Sequence, residues 1–178
     1  MMDALWIALY LQIPVVIGGV LHMLVVTHDG FSSLKRPINQ ALFGANKTWR
    51  GLLLVPLLTA FGALCLLPAE LLLGDHAIFG TSLLLAGWVA GLGYVLAELP
   101  NSYIKRRLGI AAGETPQKHR ALFVFMDQFD SALGVAIAYA LYPGFGLAVF
   151  FWYAATFPIT ALLVKRGLYA MKLKKSAV

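Results

Sequence analysis

The sequence predicts an all-α integral membrane protein with five transmembrane helices. Three observations carry that expectation. Of the 178 residues, 60% are hydrophobic and only 12% are charged, against about a quarter charged in an ordinary soluble domain. Mean hydropathy is +0.79. Five segments are each close to the length of about 20 apolar residues that a helix needs to cross a bilayer.

The predicted spans are 4–26, 51–73, 78–97, 121–142 and 145–164, within one domain covering 1–178. The first, "MDALWIALYLQIPVVIGGV", has no basic leader and no clear small-x-small cleavage site, so it reads as a retained span. Pro14, Pro68 and Pro158 fall inside or near the ends of spans, where neighbouring helices can satisfy the freed carbonyls. Gly87 and Gly91 give the third span a small-xxx-small spacing, the signature of close helix packing. Glu98 closes that span beside Pro100, where the helix is expected to break. The single cysteine, Cys65, has no partner for an intrachain disulfide and reads as a small apolar residue.

Orientation follows from the basic residues. Lys35, Arg36, Lys47 and Arg50 lie between the first two spans. Lys105, Arg106, Arg107, Lys118 and Arg120 lie between the third and fourth, and five more lie after the fifth. Together they are all fourteen Lys and Arg of the chain. The positive-inside rule makes both long connections and the C-terminus cytoplasmic and the N-terminus external. A multi-pass protein of the cell membrane is implied, with its polar loops facing the cytoplasm. The net charge of +6 is therefore a matter of membrane orientation, and nucleic acid is not an expected partner.

The costly residues are acidic. "DQFD" places Asp127 and Asp130 on one helical face, roughly 10 Å past Arg120 at 1.5 Å per residue. Ionised carboxylates at that depth cost a few kcal/mol each. Either one is protonated, or cations neutralise the pair. Those cations are nearby Lys and Arg, or a divalent metal, for which carboxylate and phosphate oxygens are the usual ligands. Glu98 is the third intramembrane acid. Asp3, Asp29, Glu70 and Asp75 read as solvated ends and loops.

Two basic stretches flank the acids. In "NSYIKRRLGI", Ser102, Lys105 and Arg106 share a helical face and suit phosphate binding. The alternative is a membrane anchor that meets anionic lipid heads. "GANKTWRG", residues 44–51, could hold phosphate or base, but it lacks the spacing and the preceding strand of a P-loop. The histidines His22, His28, His76 and His119 show no metal-ligand spacing.

Taken together, "LKRPINQALFGANKTWRG", "ELPNSYIKRRLGI" and "DQFDS" resemble the signature of the CDP-diacylglycerol synthase superfamily. The closer likeness is to its short branch, the CDP-archaeol synthase family, of similar length and with five spans. That resemblance implies a cytidylyltransferase that moves CMP from CTP to a membrane lipid phosphate, releasing pyrophosphate and leaving a CDP-activated lipid. It implies Mg²⁺ as cofactor, with Mn²⁺ as a substitute. By analogy Asp127 and Asp130 hold the metal and Glu98 contributes. Asn46, Lys47, Thr48 and Arg50 would bind the nucleotide, and Ser102, Lys105 and Arg106 would hold phosphates of CTP or lipid. Asp127, Asp130, Lys105 and Arg106 are the expected catalytic set. The chain departs from the family in having Glu98 where Asp is usual, and "GETPQKHRALFVF" where the larger enzymes have a glycine-rich segment. The lipid, diether or diester, is left open.

Two other classes compete. A proton- or cation-coupled transporter would use the Asp pair as a relay, and a lipid-binding scaffold would use only the basic loops.

Overall fold

A computed structural model describes residues 3–114, 116, 118–141 and 145–173. The "YPG" connection and the tail lysines Lys174 and Lys175 lie outside the described residues. Among the described residues the protein is helical and has no strand, beyond one isolated bridge between Pro37 and Thr48.

Helices α1 (Ala4–Tyr10) and α2 (Gln12–Thr27) form one apolar stretch with an irregularity at Leu11. Pro14 lacks the N–H that would bond the carbonyl of Tyr10, so the interruption falls within one turn before it. A short α3 (Gln40–Phe43) lies in the first connection, capped by the Asn39 side chain accepting from Leu42 N at 3.1 Å. It ends at Gly44, whose φ of 83° excludes most side chains.

The second span differs from expectation. It is not one helix over 51–73 but α4 (Trp49–Leu64) and α5 (Leu67–Leu73), bent by 43° at a short break. Pro68 sits in the first turn of α5, where a missing N–H costs nothing, so the chain restarts there instead of continuing.

The third span also differs. α6 runs unbroken from Leu83 to Arg107 and carries Pro100 inside it. Packing against α4 and α7 on its two sides holds the helix through the proline. The helical face expected for Ser102, Lys105 and Arg106 is thus part of the last turns of the third span's own helix. α7 (Arg120–Ala140) and α8 (Leu147–Ala170) complete the bundle; α8 runs past the expected end at 164 and also tolerates an internal proline, Pro158.

Among the described residues four of these stretches are long and apolar enough to cross a membrane, or five if the bent pair is one span. Their outward surfaces are apolar: Leu72 is 90% exposed and Leu141 81%. Such exposure suits lipid, not water.

Small residues set the helix spacing. A Cβ on Gly91 would lie 2.6 Å from Pro56 Cα, and one on Gly87 2.6 Å from the Ala63 Cβ, so both glycines of the small-xxx-small pair bring α6 onto α4. Gly93 and Gly134 do the same for α6 and α7. A Cβ on Gly134 would meet the Gly93 carbonyl oxygen at 2.2 Å and the Ala97 Cβ at 2.4 Å. This crossing lies about one turn from Glu98 and Asp130 and brings their polar side chains within reach of each other.

At the end opposite the basic loops, Glu70 overturns its expected solvation. It is 4% exposed and accepts from Tyr10 OH at 2.7 Å, Phe79 N at 2.8 Å and Gly80 N at 3.0 Å. It ties α1, α5 and the turn before α6 together.

Candidate functional site

The helix ends that carry basic residues meet at one end of the bundle. Thr27 Oγ1, at the end of α2, lies 2.8 Å from the Met23 carbonyl and 3.2 Å from the Leu173 carbonyl after α8, sharing its one hydrogen between them. Between these ends lies a cavity of about 370 Å³. It collects Asn46 and Lys47 from the first connection, Glu98, Ser102, Lys105 and Arg106 from α6, and Asp127 and Asp130 from α7.

Because α6 stays helical past Pro100, Glu98, Asn101, Ser102 and Lys105 share one face, at spacings of three, four and seven residues. Asp127 and Asp130 face them from α7. Asn101 Nδ2 donates to Asp127 Oδ1 at 2.7 Å and to Asp130 Oδ2 at 2.6 Å. One nitrogen thus bridges both carboxylates, and the two oxygens lie within two hydrogen-bond lengths of each other. Lys105 is buried and forms an ion pair with Asp127; its ammonium also stands 5.8 Å from the centre of the Phe123 ring. The Ser131 backbone N–H donates to Asp130, and its hydroxyl stands 3.1 Å from Asp130 Oδ1 and 3.3 Å from Glu98 Oε1.

The Glu98 carboxylate is ion-paired with Lys47 and shares the Ser131 hydroxyl with Asp130. Among the described residues no three His, Cys, Asp or Glu side chains gather closely enough to cage a metal. Two carboxylates do suit Mg²⁺, which keeps water and takes phosphate oxygens for the rest of its shell. The donor set of Asp127 and Asp130 suits such an ion, and Glu98, the third expected ligand, is ion-paired with Lys47 beside them.

Two expected nucleotide ligands lie elsewhere. Thr48 is the N-cap of α4, its hydroxyl accepting from Gly51 N at 3.3 Å, as the missing N–H partners of a helix start require. Arg50 is 5% exposed and reaches Asp29 Oδ1 at 3.2 Å and the Gly30 carbonyl at 3.1 Å. Both residues line a neighbouring cavity of about 660 Å³ that lacks the Asp pair. Asp29 is exposed, as expected, and is also the shared partner of Lys35, at 3.0 Å, and Arg50. Lys35, by hydrogen bond and by charge, and then Arg50 hold its carboxyl below the ordinary range.

Four polar residues join the site without having been expected there: Asn101, Glu114, Gln128 and Lys165. Lys165 Nζ donates to Gln128 Oε1 at 2.6 Å, and both line the cavity. Asn101 was visible in principle, as the fourth polar member of the face in "ELPNSYIK". Lys165 looked like one more tail cation because the fifth span was ended at 164.

Four acidic and four basic side chains line this cavity: Glu98, Glu114, Asp127 and Asp130 against Lys47, Lys105, Arg106 and Lys165. Its formal charge is zero. No protein-family model, curated protein or solved structure matches the chain.

Proposed function

We propose that this protein is a membrane-embedded cytidylyltransferase that joins CMP from CTP to a lipid phosphate. The observation that carries the reading is the bridged pair Asp127–Asn101–Asp130, set in a polar cavity with Lys105, Lys47, Arg106 and Lys165. Acids and bases in equal number at one end of an apolar bundle suit a metal-bound polyanion. The orientation from the positive-inside rule would put that end in the cytoplasm, where nucleoside triphosphates are found.

In this reading one oxygen of the lipid phosphate attacks the α-phosphorus of CTP. A new P–O bond forms, the bond from the α-phosphorus to the α,β-bridging oxygen breaks, and pyrophosphate leaves with the electron pair. The nucleophile is already anionic, so no strong general base is needed. Catalysis is positioning and charge stabilisation. Asp127 and Asp130 would hold Mg²⁺, or Mn²⁺ in its place, and the metal would supply charge neutralisation on the triphosphate. Lys105, beside Asp127, would hold phosphate together with Arg106 and Ser102. Lys47 and Asn46 close the other side.

The test is incorporation of labelled CTP into lipid by purified protein. Asp127→Asn and Asp130→Asn are each expected to lose at least about 100-fold, the scale of removing one element of an electrostatic site. Near-wild-type incorporation in both variants sinks the metal role. A coupled transporter predicts ion flux into vesicles without CTP, and a scaffold predicts no loss in either variant.

A further inference from the structure

Next to the acidic cavity lies a second, larger one of about 660 Å³. The two share Asn46, Lys47 and Glu98 in their walls. The ion pair of Lys47 with Glu98 is therefore a partition between two chambers. The chambers differ in chemistry. The acidic one holds Asp127, Asp130 and Lys105, and the larger one holds none of them.

The larger chamber has a cationic end. Lys35 and Arg50 line it and share one carboxylate, Asp29, so this trio keeps a net positive charge. Arg50 is 95% removed from solvent, being 5% exposed, yet its Nε is buried without a hydrogen-bond partner among the described residues. The Nε2 of His22, on α2, is in the same condition and lines the same chamber. Buried unpartnered nitrogens are uncommon and costly. Both belong to residues that line one cavity, where a small shift of the wall would bring them to an anion's oxygens.

The other end of this chamber is apolar and opens on a third cavity of about 150 Å³ between α2, α4, α6 and α8. Those two share His22, Met23, Val55 and Tyr94, and the third continues along Val16 and Phe157. The sugar and triphosphate of a nucleotide gain nothing from such walls, whereas an alkyl chain gains with every methylene buried.

We propose that the larger chamber is the seat of the lipid phosphate. Arg50, Lys35 and His22 hold its phosphate, and one alkyl chain passes Met23 and Val55 into the apolar cavity. The Lys47–Glu98 pair then stands between the two substrates and must part for the phosphate oxygen to reach the nucleotide. This assignment rests on the cytidylyltransferase reading for the identity of the second substrate. It takes Arg50 from the nucleotide and adds His22, which no motif singled out.

The experiment uses a dialkylglycerol phosphate with a diazirine halfway along one chain, photolysed on the full-length protein in nanodiscs without CTP. The neutral dialkylglycerol carrying the same diazirine is the control. Label is expected on peptides containing Met23 and Val55, competed by unlabelled lipid phosphate and not by CTP with Mg²⁺. Lys35→Gln and His22→Phe should each cut that label about tenfold, the size of one charge-assisted hydrogen bond. Lys35 is exposed, so its variant keeps the test sound should His22→Phe fail to fold. Equal labelling by the neutral probe, competition by CTP, or no response to Lys35→Gln overturns the proposal. The two ideas fail separately. Chamber labelling without CTP incorporation keeps the lipid seat and removes the transferase reading. Incorporation with label confined to outward-facing residues keeps the transferase and removes the seat.

Discussion

Asn101 is the residue on which the acidic pair depends most directly. Its amide nitrogen donates at 2.7 Å to Asp127 and at 2.6 Å to Asp130. Asn101→Ala removes both bonds and leaves two carboxylates facing across the gap. Each lost bond to a charged group is worth about 1.5–3 kcal/mol. Unit charges roughly 5 Å apart repel by about 3 kcal/mol at an effective dielectric of about 20. Lys105 offsets part of this at Asp127 but makes no bond to Asp130. The carboxylates can swing apart or take up a proton, and either response spoils a two-point seat for a divalent cation. Loss of a residue that orients metal ligands costs about 10–100-fold in affinity.

The assay is Mn²⁺ binding followed by the electron paramagnetic resonance of the free ion, beside the Mg²⁺ dependence of CTP incorporation. Both half-saturation concentrations should rise about 10–100-fold in Asn101→Ala, with much of the rate recovered at saturating metal. Asn101→Gln, which keeps the donor on a longer stem, should recover part of the affinity. A damaged fold would lower the rate at every metal concentration instead. Mn²⁺ affinity within about twofold of wild type, well inside the range expected for such a loss, would refute the bridging role.

Three further outcomes follow from the packing and the ion pairs. Gly134→Ala forces a Cβ to 2.2 Å from the Gly93 oxygen and should destabilise by about 1–3 kcal/mol; Gly19→Ala, with nothing within 4 Å, is the control, and equal melting temperatures in detergent would count against the α6–α7 contact. Glu70→Ala strands the N–H groups of Phe79 and Gly80, at about 1–3 kcal/mol each, and should lower the thermal midpoint without moving the metal dependence. Asp29 titrates below its ordinary value of about 3.9 because Lys35 and Arg50 favour the charged form. A folded value below the unfolded one stabilises above the unfolded value, and that help disappears as pH falls through the folded value. Proteolysis of the connection around residue 35 should therefore quicken below about pH 4 in the wild type, whereas Asp29→Asn should be cleaved faster at neutral pH and lack that acid step.

Much of the fold was legible because the bilayer imposes it. A chain with 12% charged residues cannot cover itself for water, and runs of about 20 apolar residues have one economical conformation in lipid. The number of crossing stretches and the gathering of polar residues at one end follow from composition and order. What misled was local reasoning at prolines. Pro100 was expected to end a helix, yet α6 continues to Arg107, because α4 and α7 hold it from both sides. Pro68 looked tolerable inside a span, yet the chain breaks just before it.

The acids show the same division most clearly. Hydropathy and spacing alone established that Asp127 and Asp130 share a face and carry a charge that must be answered. Which groups answer it depends on how closely two helices approach, and that is decided by Gly93 against Gly134, contacts between residues forty-one positions apart. Tertiary structure alone gave Asp127 to Lys105 and Glu98 to Lys47. It alone buried Glu70 and sent Arg50 into the neighbouring chamber. A residue's type determines what partner it requires; only the crossing of helices determines which partner comes within 3 Å.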